Sequence, residues 1–329
     1  MSATQARPAE SSYIGPVPEH DGYGVAQRSE WLDVDWQEHL HACAVNGARV
    51  NYVEMGAGPP VVFIHGLSGC WQNWLENIPH FARRHRVIAV DLAGFGESEL
   101  PNEEISIPGY GRFIDAFLGE LGIERAALVG NSMGGFIAAE TALAHPSRVE
   151  RLVLVSAAGL VRVGSARLRV LERAARLFHP ATAAVMARRD HLVRRPRLRR
   201  MMLYGVARYP ERLAPELCYE VASGAGKPGF LDALSAIMAY DFRDRLPEIG
   251  IPTEIIWGRD DRIVPVSGAY EYERLIRDAH LTIFEDTGHV PMLERPARFN
   301  ALVEAFLTEP LDRTNLVDAA EPVDRSAEG

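Results

Sequence analysis

The stretch AALVGNSMGGFIAAETALAH (126–145) decides the fold of this protein. Its first four residues are apolar, as in a strand buried on both faces, and residues 136–145 have the composition of a packed helix. Between them, Gly130, Ser132 and Gly134 match G-x-S-x-G, the pattern of a sharp strand-to-helix turn that carries a serine. Such a turn exposes the hydroxyl beside a helix N-terminus, where an anion is favoured. Ser132 is therefore the candidate nucleophile.

The alternation of strand and helix continues on both sides of this turn. Helical periodicity separates the apolar runs from the third one onward, which is typical of a parallel sheet covered by helices on both faces. The sequence therefore predicts an α/β fold with a mostly parallel, eight-stranded sheet and an antiparallel start. The strand-like runs are HLHACAV (39–45), ARVNYVEM (48–55), VVFIHG (61–66), RVIAVDLAG (86–94), AALV (126–129), RLVLVSA (151–157), TEIIWG (253–258) and LTIFED (281–286).

The pattern is interrupted once, after the sixth strand. Residues 160–245 have helical periodicity without a convincing strand, which predicts a helical insertion in a core of residues 31–159 and 246–308. Residues 1–30 are rich in Pro, Gly and Ser and have no hydrophobic period, so they predict a mobile arm. Residues 309–329 are acidic and aperiodic, as in a tail.

Composition excludes several classes of protein. The three cysteines, Cys43, Cys70 and Cys218, are isolated, which argues against a disulfide framework and a structural zinc site. The sequence has no apolar run long enough for a membrane span and no apolar signal core at its start, so we expect a cytoplasmic protein. The net charge is −9, and no basic motif interleaved with aromatic residues occurs, so nucleic acid is not an expected partner.

A serine hydroxyl needs a base before it can attack. In this topology the acid and the base follow the serine in the order Ser, Asp, His. Of the two histidines after the insertion, His280 opens the last strand, whereas His289 follows it, at the sheet edge where active-site groups gather. The carboxylate is expected in the loop after the seventh strand. The register from Trp257 favours Asp261 there, with Asp260 as the alternative.

The third requirement is a pair of donors for the oxyanion. The first parallel strand ends in HGLSG (65–69), where glycine lets the backbone approach the nucleophile. We expect the N–H groups of Leu67 and Met133 to converge on one oxygen. The residues expected to line the substrate pocket are His65, Gly66, Trp71 and Trp74.

Five ordered motifs together resemble the serine-nucleophile branch of the α/β-hydrolase superfamily, over about residues 36–308. The resemblance implies Ser132 as nucleophile, Asp261 as acid and His289 as base. It also implies an oxyanion hole at Leu67 and Met133, a cap domain at residues 160–245 above the pocket, and no metal or organic cofactor. The motifs are HGLSG (65–69), DLAGFGES (91–98), GNSMGG (130–135), WGRDDRIVP (257–265) and TGHVPMLERP (287–296).

The motifs of this sequence differ from those of several related enzymes, and these differences narrow the choice of reaction type. Epoxide hydrolases and haloalkane dehalogenases of the superfamily carry aspartate where this chain has Ser132, and a seryl ether would not be hydrolysed. GNSMGG is similar to the C–C bond hydrolases of meta-ring-fission products. Those enzymes usually have Gly-Pro-Gly in the oxyanion loop and Trp after the histidine, whereas this chain has Leu-Ser-Gly-Cys (67–70) and Val290. We therefore expect hydrolysis of a carboxylic ester of a fairly apolar small molecule or lipid. C–C hydrolysis, acyl transfer and a non-catalytic ligand receptor are the alternatives.

The predicted cap is strongly basic. Residues 161–212 contain 14 arginines and only three acidic residues, Glu172, Asp190 and Glu211. One interpretation is a solvated helix face whose arginines pair with the acidic core. The other is a surface that approaches an anionic membrane or recruits acidic amphiphiles, because basic residues near an anionic bilayer are attracted to it.

Overall fold

The computed structural model describes residues 22–24, 28–160, 185–186 and 188–310. Most of the predicted arm (1–30) and of the predicted tail (309–329) lies outside the described residues. Part of the predicted cap, residues 161–184 and 187, also lies outside them.

Eight strands of the described residues form one sheet in the order β1-β2-β4-β3-β5-β6-β7-β8. β2 pairs antiparallel with β1 and β4, and every other pairing is parallel. This arrangement confirms the predicted fold class. The strands are β1 (Leu40–Val45), β2 (Ala48–Met55), β3 (Pro60–Ile64), β4 (Arg86–Val90), β5 (Ala126–Asn131), β6 (Val149–Val155), β7 (Thr253–Gly258) and β8 (Ala279–Phe284).

Helices cover both faces of the sheet, and strand residues alternate between two apolar clusters. In β3, for example, Val62 and Ile64 face one cluster, whereas Val61 and Phe63 face the other. Both faces of this central strand are buried, which explains why β3 is apolar throughout. The helices are α1 (Ile78–Phe81), α2 (Ile107–Glu120), α3 (Met133–Ala144), α4 (Arg189–Arg194), α5 (Pro196–Met202), α6 (Pro215–Val221), α7 (Phe230–Ala239), α8 (Ser267–Leu275), α9 (Pro291–Glu294) and α10 (Pro296–Thr308).

The segment NWLENIPHFARR (73–84) has a helix-like spacing of apolar residues but does not form one helix. A 3₁₀ turn at Trp71–Trp74 is followed by the single turn of α1. Pro79 has no N–H and is therefore confined to the first turn of a helix. The side chain of Asn73 also turns back and accepts the N–H of Cys70 at 2.9 Å.

The described part of the insertion after β6 contains the helices α4 to α7 and no strand. A buried arginine organises it. The guanidinium of Arg199 donates to the carbonyl oxygens of Val193, Pro210 (3.0 Å) and Glu211 (2.7 Å). In the described part of the chain, no helix is both long and apolar enough to cross a membrane.

The end of the predicted mobile arm is held against the core. The hydroxyl of Tyr23 donates to Glu294 Oε2 at 2.6 Å and accepts the N–H of Tyr209 at 2.8 Å. The N–H of Gly24 donates to the carbonyl of Glu294 at 2.7 Å. Tyr23 and Gly24 therefore have tertiary partners, which a Pro- and Gly-rich composition does not reveal.

A buried carboxyl group in β7 makes the stability depend on pH. Glu254 is 2% exposed, and its carboxyl group accepts a hydrogen bond from the hydroxyl of Thr282 at 2.8 Å. Burial raises the pKa of Glu254 to about 8. The raised pKa contributes stability that is present below the unfolded pKa and is lost as the pH rises through about 8.

We expect Glu254→Gln to flatten this dependence, because glutamine stays neutral at every pH. Above pH 8 the variant should exceed the wild type in unfolding free energy by up to ~4 kcal/mol. Denaturant titrations at about pH 5 and about pH 9 measure this, with exposed Glu285→Gln as the control. Equal pH slopes for the wild type and Glu254→Gln would contradict the expectation.

Candidate active site

The turn between β5 and α3 holds Ser132 in a strained conformation. Its φ of 56° and ψ of −117° lie in a region that residues with a side chain rarely adopt. The neighbouring glycines leave no room for a methyl group. At Gly130 it would overlap the carbonyl of Gly134, and at Gly134 it would overlap the carbonyl of Ile64. The backbone therefore packs closely enough around the turn to maintain the strain.

We expect Gly134→Ala to lower the melting temperature by roughly 5–10 °C, because the added methyl group meets a backbone oxygen that cannot move aside. Gly119→Ala is the matched control. It adds the same methyl group to α2, where the nearest atom is a flexible guanidinium nitrogen of Arg148 at 3.7 Å. Differential scanning calorimetry compares the two variants. A similar melting temperature for both would show that the turn tolerates a side chain.

His289 contacts Asp261 and not Asp260. The Nδ1–H of His289 donates to Asp261 Oδ2 at 2.7 Å, and both side chains are buried. The other oxygen of Asp261 accepts the N–H groups of Ile263 (2.8 Å) and Val264 (2.9 Å). Because a carboxylate only accepts, this contact places the proton of a neutral imidazole on Nδ1 and leaves Nε2 as an acceptor. Asp260 lies instead 3.3 Å from Arg208 Nε.

The HGLSG segment (65–69), the candidate oxyanion loop, packs directly against the candidate nucleophile Ser132. A Cβ added at Gly66 would lie 3.0 Å from Ser132 Cβ. Among the described residues, no hydrogen bond uses the N–H of Leu67 or of Met133. Met133 is the first residue of α3, whose initial N–H groups have no partner within the helix. Both amides are therefore available to a bound oxygen.

Three of the residues predicted to line the pocket, His65, Trp71 and Trp74, do not line the cavity that contains Ser132 and His289. His65 is fully buried; its Nε2 accepts the N–H of Leu92 at 3.0 Å, and its Nδ1 donates to the carbonyl of Gly66 at 2.8 Å. Burial lowers the pKa of His65, which suits this neutral bridge. Trp71 and Trp74 lie in the cluster on one face of the sheet. Trp71 packs against Trp36 (5.0 Å between ring centroids) and Trp74 against Phe63 (4.8 Å). The 3₁₀ turn points both rings into the core.

A cavity of about 900 Å³ connects the candidate residues. Ser132 and His289 both line it, and so do Gly66 and Leu67 of the oxyanion loop. Its wall is mostly apolar. The described part of the insertion contributes Met202, Leu203, Val206, Leu234, Ile237 and Met238. Among the described lining residues there is no arginine or lysine, and Asp241 is the only acidic one.

Two residues that sequence reasoning did not single out hold the histidine loop. The side-chain amide of Asn131 donates to the carbonyl oxygens of Val155 (3.1 Å) and His289 (3.2 Å). The buried carboxylate of Glu294 accepts the N–H groups of Gly288 and Val290, on either side of His289. Glu294 follows an apolar Pro-Met-Leu run, and an acidic residue in that place is the signal that could have revealed it.

Glu294 also joins the core to the insertion and the N-terminal segment. It accepts the N–H of Arg208 (2.8 Å) and the hydroxyl of Tyr23 (2.6 Å). The N–H of His289 itself donates to the carbonyl of Val206 at 2.9 Å. The orientation of the imidazole therefore depends on contacts from three parts of the chain.

We expect Glu294→Gln to lower kcat by ~10- to 100-fold with little change in KM, because one amide oxygen cannot replace a carboxylate among four donors. Steady-state kinetics with a soluble ester measures this, and Glu294→Asp should recover part of the loss. The matched control is Glu285→Gln, in the loop between β8 and α9, where the side chain is exposed and paired with Arg259. Equal kcat in Glu294→Gln and the wild type would exclude a positioning role.

Comparisons with known proteins identify the family to which the chain belongs. A family model described as the alpha/beta hydrolase fold matches residues 59–296. The chain is 32% identical to a 2-hydroxymuconate semialdehyde hydrolase of Pseudomonas sp. (strain CF600), over 80% of this chain and 92% of that protein.

Solved structures extend the comparison. A membrane phospholipase A, described as a bacterial virulence factor, has a TM-score of 0.64 at 30% identity, over 82% of this chain and 85% of that one. A meta-cleavage product hydrolase of Pseudomonas fluorescens IP01 has a TM-score of 0.65 at 30% identity, over 82% and 98%. The sheet order, the strained turn at Ser132 and the matched family model lead to one conclusion: the chain belongs to the alpha/beta hydrolase fold family.

Proposed function

We propose that the protein is a serine hydrolase that cleaves a carboxylic ester of an uncharged, largely apolar substrate through an acyl-enzyme. The observation that carries this proposal is the cavity that Ser132 and His289 share, whose described wall is apolar and has no cation. Buried polar groups in such a cavity are few, so an apolar acyl or alcohol group is favoured there by burial of its surface.

The mechanism assigns one role to each candidate residue. His289 Nε2 takes the proton of Ser132 Oγ as that oxygen attacks the ester carbonyl, and Asp261 stabilises the imidazolium. The N–H groups of Leu67 and Met133 hold the oxyanion, each contributing ~3–4 kcal/mol. When the tetrahedral intermediate collapses, His289 protonates the departing alcohol. It then activates a water that releases the carboxylic acid and restores Ser132.

The charge of the cavity wall supports an ester rather than a ring-fission acid. A 2-hydroxymuconate-type substrate carries a carboxylate, which is costly to bury without a cationic partner or several donors. The described wall offers neither arginine nor lysine to pair with such a carboxylate. C–C hydrolysis is nevertheless the second candidate, because one relative is named a 2-hydroxymuconate semialdehyde hydrolase and another a meta-cleavage product hydrolase.

A turnover screen distinguishes the two reactions. It compares p-nitrophenyl esters of graded acyl length with a vinylogous diketone acid of the ring-fission type. We expect kcat/KM for the esters to rise with acyl length and to exceed that for the diketone acid by ~100-fold or more, in line with the cost of an unpaired buried charge. A higher kcat/KM for the diketone acid would establish C–C hydrolysis instead.

A further inference from the structure

The mouth of the cavity has exposed apolar side chains next to exposed arginines. The described chain exposes seven large hydrophobic side chains, and four of them either line the cavity or directly neighbour a lining residue in the chain: Val185, Met201, Tyr204 and Ile263. We call these four residues, with the exposed arginines Arg188, Arg195, Arg197, Arg200 and Arg262, the docking face. A mixture of exposed apolar and basic side chains is the signature of an interfacial surface.

The docking face is continuous with the wall of the cavity. Met202 and Leu203 line the cavity, whereas their neighbours Met201 and Tyr204 are 69% and 57% exposed. Ile263 also belongs to both surfaces, being 49% exposed and part of the cavity lining. An apolar chain can therefore pass from the outside to the cavity along apolar side chains.

Contacts across the mouth hold this face together. The guanidinium of Arg262 lies 4.6 Å from the ring centroid of Tyr204 and donates to the carbonyl of Tyr204 at 3.3 Å. The neighbouring Gly205 approaches Ile263 closely enough that an added Cβ would lie 3.8 Å from Ile263 Cγ1. The loop after β7 and the insertion therefore present one surface.

The arginines of this face are not neutralised by the described part of the protein. Residues 188–204 contain seven arginines and one acidic residue, Asp190, which pairs with Arg194 at 2.8 Å. Arg199 is buried against carbonyl oxygens, and Arg189 stacks on Tyr219. The exposed arginines Arg188, Arg195, Arg197 and Arg200 form no ion pair with a described carboxylate. The first interpretation of the basic cap, pairing with the acidic core, therefore does not account for these four.

We infer that the docking face binds the surface of an anionic lipid bilayer, with the arginines at the headgroups and Met201, Tyr204 and Ile263 inserted among them. An anionic bilayer presents charged headgroups above an apolar region of acyl chains. The basic side chains of the docking face match the headgroups, and its apolar side chains match the boundary with the acyl chains. This inference rests on the proposed ester hydrolysis, which gives bilayer binding its function. A bound bilayer would supply an apolar ester directly to the cavity.

Vesicle binding tests the inference without any turnover. The full chain carrying Ser132→Ala is sedimented with vesicles of phosphatidylcholine alone or mixed with phosphatidylglycerol, at low and at high salt. We expect binding to the mixed vesicles to exceed binding to the neutral ones by ~10-fold or more at low salt, and to weaken as salt screens the charges. Equal binding to both vesicle types would overturn the inference.

Variants locate the surface. Replacing Arg188, Arg195, Arg197 and Arg200 with Gln should weaken binding by ~100-fold or more, at about fivefold for each arginine. The same four positions changed to Lys should retain most of the binding. Met201→Asp should weaken binding while the charge of the arginines is kept. The charge-matched control replaces Arg83, Arg84, Arg274 and Arg277 with Gln, near the amino ends of β4 and β8, at the opposite edge of the sheet. An equal loss in this control would mean that net charge, and not the docking face, attracts the vesicles.

Turnover of a soluble short-chain ester, measured in parallel with Ser132 intact, separates this inference from the proposed function. The four Arg→Gln changes should leave that turnover unchanged, which also shows that the variant folds. Intact turnover without vesicle binding in the wild type would overturn only the docking face. Vesicle binding without turnover of any ester would overturn only the proposed function.

Discussion

Replacement of Ser132 with Ala is expected to abolish ester turnover, lowering kcat by ~10⁵-fold or more, because no other group forms the acyl-enzyme. A fluorophosphonate should label the wild-type protein once per chain, at Ser132. The Ser132→Ala variant should not be labelled. Intact-mass spectrometry and peptide mapping measure both outcomes.

Ser156 provides the matched control. It is buried at the end of β6, adjacent to β5, and it also has a positive φ, of 46°. Its hydroxyl has no hydrogen-bond partner among the described residues, so alanine removes no contact. Ser156→Ala should keep near wild-type turnover and labelling. Labelling that persists in Ser132→Ala, or moves to another residue, would refute the assignment of the nucleophile.

Replacement of His289 with Ala should lower kcat by ~10⁴-fold or more and leave KM nearly unchanged, because the base acts on the chemical step rather than on binding. Asp261→Asn should also cause a large loss, since the side chain that fixes the tautomer changes. Stopped-flow and steady-state assays with a p-nitrophenyl ester measure these rates.

The control for this prediction is His280→Ala, which alters the exposed histidine of β8 and should leave kcat unchanged. The double variant Ser132→Ala/His289→Ala gives a sharper test. Residues that act as one unit are not additive, so its kcat should be no lower than that of Ser132→Ala alone. Losses that multiply would show that the two side chains act independently.

Sequence patterns were sufficient to predict the strands of the sheet, because the hydrophobic pattern of each strand lies within a few neighbouring residues. The predicted strands are short apolar runs, several of them followed by glycine. Because successive side chains of a strand point to opposite faces of the sheet, a strand that is buried on both faces needs apolar residues at successive positions. The strand–turn–helix at 126–145 also contains the glycines that the strained serine needs, and the structure shows why: methyl groups at Gly130 and Gly134 would meet backbone oxygens.

The choice between Asp260 and Asp261 shows the limit of register arguments. The two residues are adjacent in sequence, yet one contacts His289 and the other contacts Arg208. Counting from Trp257 favoured Asp261, but the deciding contact joins loops that are 28 residues apart in the chain. Only the relative position of the loop with Asp260 and Asp261 and the loop with His289 determines which carboxylate contacts the imidazole.

Side-chain direction explains why Trp71 and Trp74 do not line the described cavity. Trp71 and Trp74 follow the oxyanion loop closely in sequence, but the 3₁₀ turn directs their rings into the core. The network around Glu294 was missed for a related reason, because its donors come from residues 23, 208, 288 and 290. No local pattern records contacts between such distant segments.

The sequence by itself determined the order of strands and helices and the strained serine turn, since both follow from nearest-neighbour chemistry along the backbone. It also narrowed the candidates for the base to a histidine in a loop at the carboxyl end of the last strand. Tertiary structure decided which carboxylate contacts that histidine and which side chains form the cavity wall. It also decided where exposed apolar and basic side chains lie next to each other at the mouth of the cavity. These features depend on the directions of side chains from separate segments, which only packing in three dimensions can set.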